Sequence, residues 1–177
     1  MLTNLQTDLE RLNLLPASEA ENELLKCCGS PEWAARVIAE RPFKNMADLM
    51  AKADRVWCSL EPRDWLEAFH NHPKIGEKKA AAKTAVEAQK WSEDEQSGIR
   101  NSAQQTMDAL TEMNRQYEEK FGFIFIVCAT GKSSEEMLAI LRARLENPAG
   151  MELRMAAAEQ AKITQLRLRK LIDNRQS

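Results

Sequence analysis

One apolar run, Phe121-Gly-Phe-Ile-Phe-Ile-Val-Cys-Ala129, is the only strand-like stretch in this 177-residue chain. A lone extended segment has no ladder for its backbone donors and acceptors, so it cannot found a sheet. Elsewhere apolar residues return at three- and four-residue steps, as in Leu5, Leu9 and Leu12, then Leu24, Leu25 and Cys28, the spacing of an amphipathic helix. These two facts together predict an all-α fold: a single-domain compact helical bundle over residues 1–177, with Phe121–Ala129 as one buried extended connector.

Start and stop signals divide the helical sequence. Ser18 with Glu21 has the spacing of a capping box, and Ser30-Pro31 pairs an N-cap with proline at the first helical position. Trp33, Val37 and Ile38 give the next helix its apolar face before Pro42 stops it. Asn45 can cap a helix through Met46, Leu49 and Met50. Glu61-Pro62 opens another with Trp65, Leu66 and Phe69 inward, closed by Pro73. The stretch from Lys78 to Gln89 is rich in Ala, Lys and Glu, with high helix propensity but a thin apolar face, and reads as an exposed helix or part of a lid. Ser92 to Glu95 caps a long helix through Ile99, Met107, Leu110, Met113, Asn114 and Tyr117. Ser133 with Glu136 starts one through Met137, Leu138, Leu141 and Leu145, which Asn147-Pro148 breaks. A final helix runs from about Pro148 to Leu171.

Composition narrows the functional classes. Hydrophobic residues make up 44% and charged residues 29%, the balance of a globular protein with a real core. A net charge of −2 counts against a nucleic-acid partner. Arg167, Arg169, Lys170 and Arg175 are interrupted by Asp173, with Glu159 upstream, and read as a solvated helix face. No apolar run is long enough to span a membrane. Met1-Leu2-Thr3-Asn4 lacks the pattern of a secretory leader, and Arg175-Gln176-Ser177 is not a peroxisomal address, so a cytoplasmic setting is expected. Cys27, Cys28, Cys58 and Cys128 are expected as free thiols, and with only two histidines in the chain they show no metal-ligand spacing.

Four motifs carry possible chemistry, each with a structural alternative. Both histidines lie in Phe69-His-Asn-His-Pro-Lys-Ile-Gly-Glu77, and imidazole exchanges protons near neutral pH. His72 precedes Pro73, which biases it away from helical geometry, so it should sit on a turn just past a helix end. There it can face a cleft or simply favour the helix dipole. His70, in the last turn, is better read as structural. In Trp91-Ser-Glu-Asp-Glu-Gln-Ser-Gly98, Ser92 and Glu95 complete a capping pattern. The same helix start offers N–H donors, and Glu95 and Gln96 have the groups to grip a urea. Ala129-Thr-Gly-Lys-Ser133 resembles the end of a phosphate loop, but Ile126 stands where that loop needs glycine, so nucleotide binding is rejected. In Lys162-Ile-Thr-Gln-Leu-Arg-Leu168, Arg167 reads as a surface arginine unless it turns inward to meet an anion.

Taken in order, these pieces resemble the ureidoimidazoline decarboxylases of urate catabolism. The resemblance runs from about Leu12-Asn13 to Leu171. It rests on Arg41-Pro42-Phe43, His72-Pro73-Lys74-Ile75-Gly76, Glu95-Gln96-Ser97-Gly98, Asn114 through Tyr117 to Lys120-Phe121-Gly122-Phe123, Arg144-Leu145-Glu146-Asn147, and Lys162-Ile163 to Arg167-Leu168. It implies an all-α enzyme with no metal or organic cofactor, a small ureide as substrate, and a homodimer. It further implies catalytic roles for His72, Glu95 and Arg167. Ser92, Gln96, Pro73, Phe123 and Phe125 would contact substrate, and Arg144 would be structural. Two rival readings are a ring hydrolase or isomerase acting on another ureide, and a non-enzymatic helical interaction module. The module would need a large exposed apolar stripe and no converging polar cleft.

Overall fold

The computed structural model describes residues 8–73 and 104–173. Among these residues the helices are α1 (Asp8–Leu14), α2 (Ala17–Leu25), α3 (Pro31–Ala39), α4 (Met46–Cys58), α5 (Pro62–His70), α6 (Gln104–Phe121), α7 (Ser134–Leu145) and α8 (Ala149–Asp173). The expected all-α fold is the observed one. The Lys78–Gln89 helix, the Ser92–Glu95 cap and the Lys74-Ile75-Gly76 piece lie outside the described residues.

Most helix starts are those the caps predict. Ser30 Oγ accepts from Trp33 N at 3.2 Å, and Asn45 Oδ1 accepts from Asp48 N at 2.9 Å. Ser133 and Glu136 form a reciprocal box, Glu136 N donating to Ser133 Oγ at 3.2 Å and Ser133 N to the Glu136 carboxylate at 2.7 Å. Each bond satisfies an N–H that the first helical turn leaves without a carbonyl. Ser18–Glu21 is the exception. Pro16, extended at ψ 146°, ends α1 and serves as the N-cap of α2, its carbonyl accepting from Ala20 N at 3.0 Å. Ser18 therefore falls inside the first turn and makes no cap bond.

Helix α8 is the axis of the fold. It packs on α1, α4 and α5, and the Trp57 indole on α4 donates to Ala157 O on α8 at 2.9 Å. Helix α6 packs on α7, while α2, α3 and α4 stack in sequence. Two of the shared motifs act as staples at the first corner. The Arg41 guanidinium donates to the carbonyls of Leu12 at 3.1 Å and Leu15 at 2.7 Å, groups left over by the end of α1. Asn13 bonds the Phe43 backbone in both directions, at 2.9 and 2.7 Å.

Phe123, Phe125, Ile126, Val127, Cys128 and Ala129 are buried in an extended segment that forms no strand, which is the connector expected from the sequence. Side chains take the place of a sheet ladder. Arg144 Nη1 donates to Ile126 O at 2.5 Å, and Cys128 N donates to Glu159 on α8 at 2.8 Å. Gly122, at φ +80°, turns the chain out of α6 while its N–H reaches Glu118 O at 2.8 Å, a left-handed helix end that glycine adopts without strain.

Beneath the connector lies a closed ionic cluster. Arg144 is 3% exposed and Glu152 0%, a degree of burial that charges tolerate only when paired. Arg144 Nε donates to Glu152 at 2.6 Å, Asn147 Nδ2 donates to its other oxygen at 2.8 Å, and the Tyr117 hydroxyl also donates to Glu152. The guanidinium sits 4.7 Å from the centre of the Phe125 ring. These contacts give Arg144 the structural part expected of it.

Candidate active site

The turn after α5 carries the site. Asn71 ends the helix, and His72 N still reaches back to Phe69 O at 3.1 Å before Pro73 prevents further helix. Phe69, fully buried, packs its ring 5.5 Å from that of Phe123, so the connector braces the turn from behind. The turn points His72 inward, where it is buried at 9% exposure. His70 is exposed and lines an open hollow on α5 with Arg63, Glu67 and Asn71, a hollow that does not include His72.

The imidazole of His72 meets α8. Its Nε2 lies 2.5 Å from Gln160 Oε1, and Gln160 Nε2 donates to Thr164 Oγ1 at 3.1 Å. Thr164 is in turn hydrogen-bonded to the Cys28 thiol, which also takes a bond from the Ser30 backbone N–H. Gln160 and Cys28 are wholly buried and Thr164 nearly so. Arg167 follows on the same face, 5% exposed, and its charge acts on both Cys27 and Cys28. The spacing 160, 164, 167 is one helical stripe, covering roughly 10 Å of axis.

The electrostatics of the stripe are those of a dry interior. Burial pushes the Cys28 thiol up to about 12, against hydrogen bonds from Ser30 and Thr164 and the Arg167 charge, which pull it down. Burial drives the Cys27 thiol upward as well. Neither thiol is a nucleophile near neutral pH, because the thiolate is the reactive form. At the edge of the stripe burial also acts to raise Glu159, but its bonds to Lys162 and to Cys128 N outweigh burial and hold it below the usual carboxylate range.

Of the residues singled out in sequence, His72 and Arg167 come to the same buried stripe. The surface reading of Arg167 is overturned, because the face of α8 that holds Ile163, Leu168 and Leu171 inward also takes residue 167 inward. Pro73 follows His72, half-buried. Phe123 and Phe125 stand in a buried aromatic group around Tyr117, with ring centres 5.7 and 5.4 Å from it. Ser92, Glu95 and Gln96 lie outside the described residues. Gln160 and Thr164 were not among the sequence candidates. The available signal was their phase, since Gln160 recurs with Ala156, Ile163 and Arg167 on the inward face of α8.

Among the described residues, an all-α scaffold with a buried histidine held from within the core by a glutamine of the last helix is the class that this fold and site define. The OHCU decarboxylase family model matches residues 13–169. The uric acid degradation bifunctional protein TTL of Arabidopsis thaliana is 36% identical over 155 residues, 88% of this chain and 48% of that protein. The 2-oxo-4-hydroxy-4-carboxy-5-ureidoimidazoline decarboxylase of Amia calva is 33% identical over 80% of this chain and 81% of its own length. A crystal structure of OHCU decarboxylase in the presence of (S)-allantoin superposes with a TM-score of 0.74 at 37% identity, covering 86% of this chain and 98% of that one. This chain belongs to the OHCU decarboxylase family. It spans about half the length of the Arabidopsis relative. No helix among the described residues is long and apolar enough to cross a membrane.

Proposed function

We propose that the protein decarboxylates 2-oxo-4-hydroxy-4-carboxy-5-ureidoimidazoline to (S)-allantoin without a cofactor. The observation that carries this reading is the buried His72, held by Gln160 from the core, in a chain of this family.

The substrate bears a carboxylate and a hydroxyl on one ring carbon, next to a C=N carbon that carries the ureido group. When carbon dioxide leaves, the electron pair of the broken C–C bond forms a C=C bond, and the C=N electrons move to nitrogen, which takes a proton. The resulting enol loses its hydroxyl proton, and the neighbouring carbon is protonated on one face. The substrate's own C=N is the electron sink, so no organic cofactor is required. His72 is the acid–base group, a role that contributes roughly 10²–10⁴-fold. Glu95 and Gln96, with Ser92, orient the ureido and ring N–H groups, and Pro73, Phe123 and Phe125 shape the pocket. Arg167 stabilises the oxygen on which charge develops. Gripping the departing carboxylate would stabilise the ground state and oppose its loss.

The chain acts as one domain over residues 1–177, a reading supported by the single hydrophobic core of the described residues. A cytoplasmic homodimer, working after a urate-oxidising enzyme and a hydroxyisourate hydrolase, follows from the family resemblance. Circular dichroism of freshly generated substrate tests the activity. Rapid formation of one allantoin enantiomer with release of carbon dioxide is expected, and product forming only at the spontaneous rate and as a racemate would refute it. Glu95→Gln should lower turnover more than Ser92→Ala. Equal losses of stability with normal kinetics would reduce both residues to caps.

A further inference from the structure

Asn71 ends α5 and stands directly before His72. Its side-chain amide donates to Gly29 O at 2.8 Å, in the loop between α2 and α3, and to Glu67 O of its own helix at 3.3 Å. The N–H groups of one amide thus satisfy a carbonyl left over at the end of α5 and tie that end to a loop 42 positions away in sequence. The approach leaves no room for a side chain at position 29. A Cβ on Gly29 would lie 2.6 Å from both Asn71 Cβ and Asn71 Nδ2. Rotating the Asn71 side chain would move Nδ2 away but not Cβ, which the backbone fixes. Gly29 does not adopt a left-handed φ, so glycine is needed here for space and not for backbone freedom.

The loop side of this contact is the firmer one. Cys27, Cys28 and Ser30 are wholly buried, Cys27 N and Cys28 N both bond Leu24 O, and Ser30 caps α3 by accepting from Trp33 N. The other side is the exposed Asn71 and the turn that carries His72. From this we propose that Gly29 and Asn71 are positioning residues for His72: the bare backbone of Gly29 sets how far inward the turn seats, and the Asn71 amide holds it there. The kinetic consequence rests on the proposed decarboxylation, whereas the seating of the ring does not. A methyl group at position 29 must drive Asn71 back by about 0.8 Å to reach the 3.4 Å of ordinary contact. That shift, one residue away, draws the imidazole back from Gln160, whose Oε1 lies 2.5 Å from Nε2. Misplacing a catalytic group by about 1 Å costs on the order of 10²-fold in rate.

The test combines steady-state kinetics with proton NMR of the imidazole in the full chain. The chain has two histidines, so a His70→Ala protein assigns the His72 signals. Gly29→Ala should lower kcat by roughly 10–10²-fold with KM within about twofold, and should move the His72 ring signals. Asn71→Ala, which loses the amide bonds and keeps Cβ, should lower kcat less, by about three- to tenfold. Asn71→Gly removes the obstructing Cβ. Adding Gly29→Ala to it should change kcat by no more than about twofold and leave the ring signals where Asn71→Gly alone puts them. A merely structural role would lower urea midpoints without this dependence on background. A folded Gly29→Ala protein with wild-type kcat, or the same loss of kcat in both backgrounds, would overturn the proposal. If Gly29→Ala does not fold, Asn71→Ala decides alone, and wild-type kcat and ring signals there would overturn it. Ring signals that follow this cycle in a protein that forms no allantoin would uphold the seating and remove the reaction.

Discussion

The two halves of α8 bury polar groups in opposite ways. Toward its N-terminus, Glu152 meets Arg144, Tyr117 and Asn147 in a cluster where full charges cancel and the carboxylate oxygens are all engaged. Toward its C-terminus, Gln160 and Thr164 pass hydrogen bonds between a neutral thiol and an imidazole. The first arrangement resists any change of protonation, because losing one charge strands another in a low-dielectric interior. The second surrounds the imidazole with neutral groups, the Gln160 amide, the Thr164 hydroxyl and the Cys28 thiol, and contains no carboxylate among these bonds. The difference separates a clamp, which holds the connector in place, from the candidate site, where the proposed function needs a proton to move.

The sharpest way to break this contrast is to remove one charge of the clamp. Arg144→Ala should cost about 3–5 kcal/mol of stability in urea unfolding, since it leaves Glu152 buried and uncompensated. Arg144→Met combined with Glu152→Leu should recover much of that loss. If the single variant were as stable as wild type, the clamp would not be structural.

A smaller effect probes the neutral stripe. The folded state holds the Cys28 thiol proton up to about 12, against an ordinary 9.0. Below about pH 9 both states keep the proton and the thiol adds no slope. Above it the unfolded chain has lost the proton that the folded chain retains, so stability falls by up to about 1.4 kcal/mol per pH unit from this thiol. Urea midpoints between pH 8 and pH 11 should fall less steeply in Cys28→Ala than in wild type. Equal slopes would mean that Cys28 is not held in a dry site. The smallest effect belongs to the surface caps, where Ser133→Ala should cost about 1 kcal/mol and leave activity unchanged.

Much of the fold could be read from sequence because its signals are local. Ser30, Asn45 and Ser133 each cap the helix that they precede, and the lone apolar run at Phe121–Ala129 is the connector. Local signals failed where a neighbouring element decided the outcome, as at Ser18, displaced into a helix turn because Pro16 both ends α1 and caps α2. The site was legible only in part. Pro73 marks His72, since a residue before proline leaves the helix. Arg167 looked exposed because arginine on a helix usually is, and only the packing of α8 against α1, α4 and α5 turns it inward. Gln160 carries no motif of its own, and its role comes from a contact 88 positions away in sequence.

The contrast between the two histidines tests the central claim most directly. Initial rates of optically active allantoin formation should be measured for His70→Ala and His72→Ala side by side, with far-ultraviolet circular dichroism to show that both remain folded. The account predicts near wild-type rates for His70→Ala, and a loss of roughly 10²–10⁴-fold for His72→Ala. A folded His72→Ala protein that still makes (S)-allantoin at the wild-type rate would contradict it.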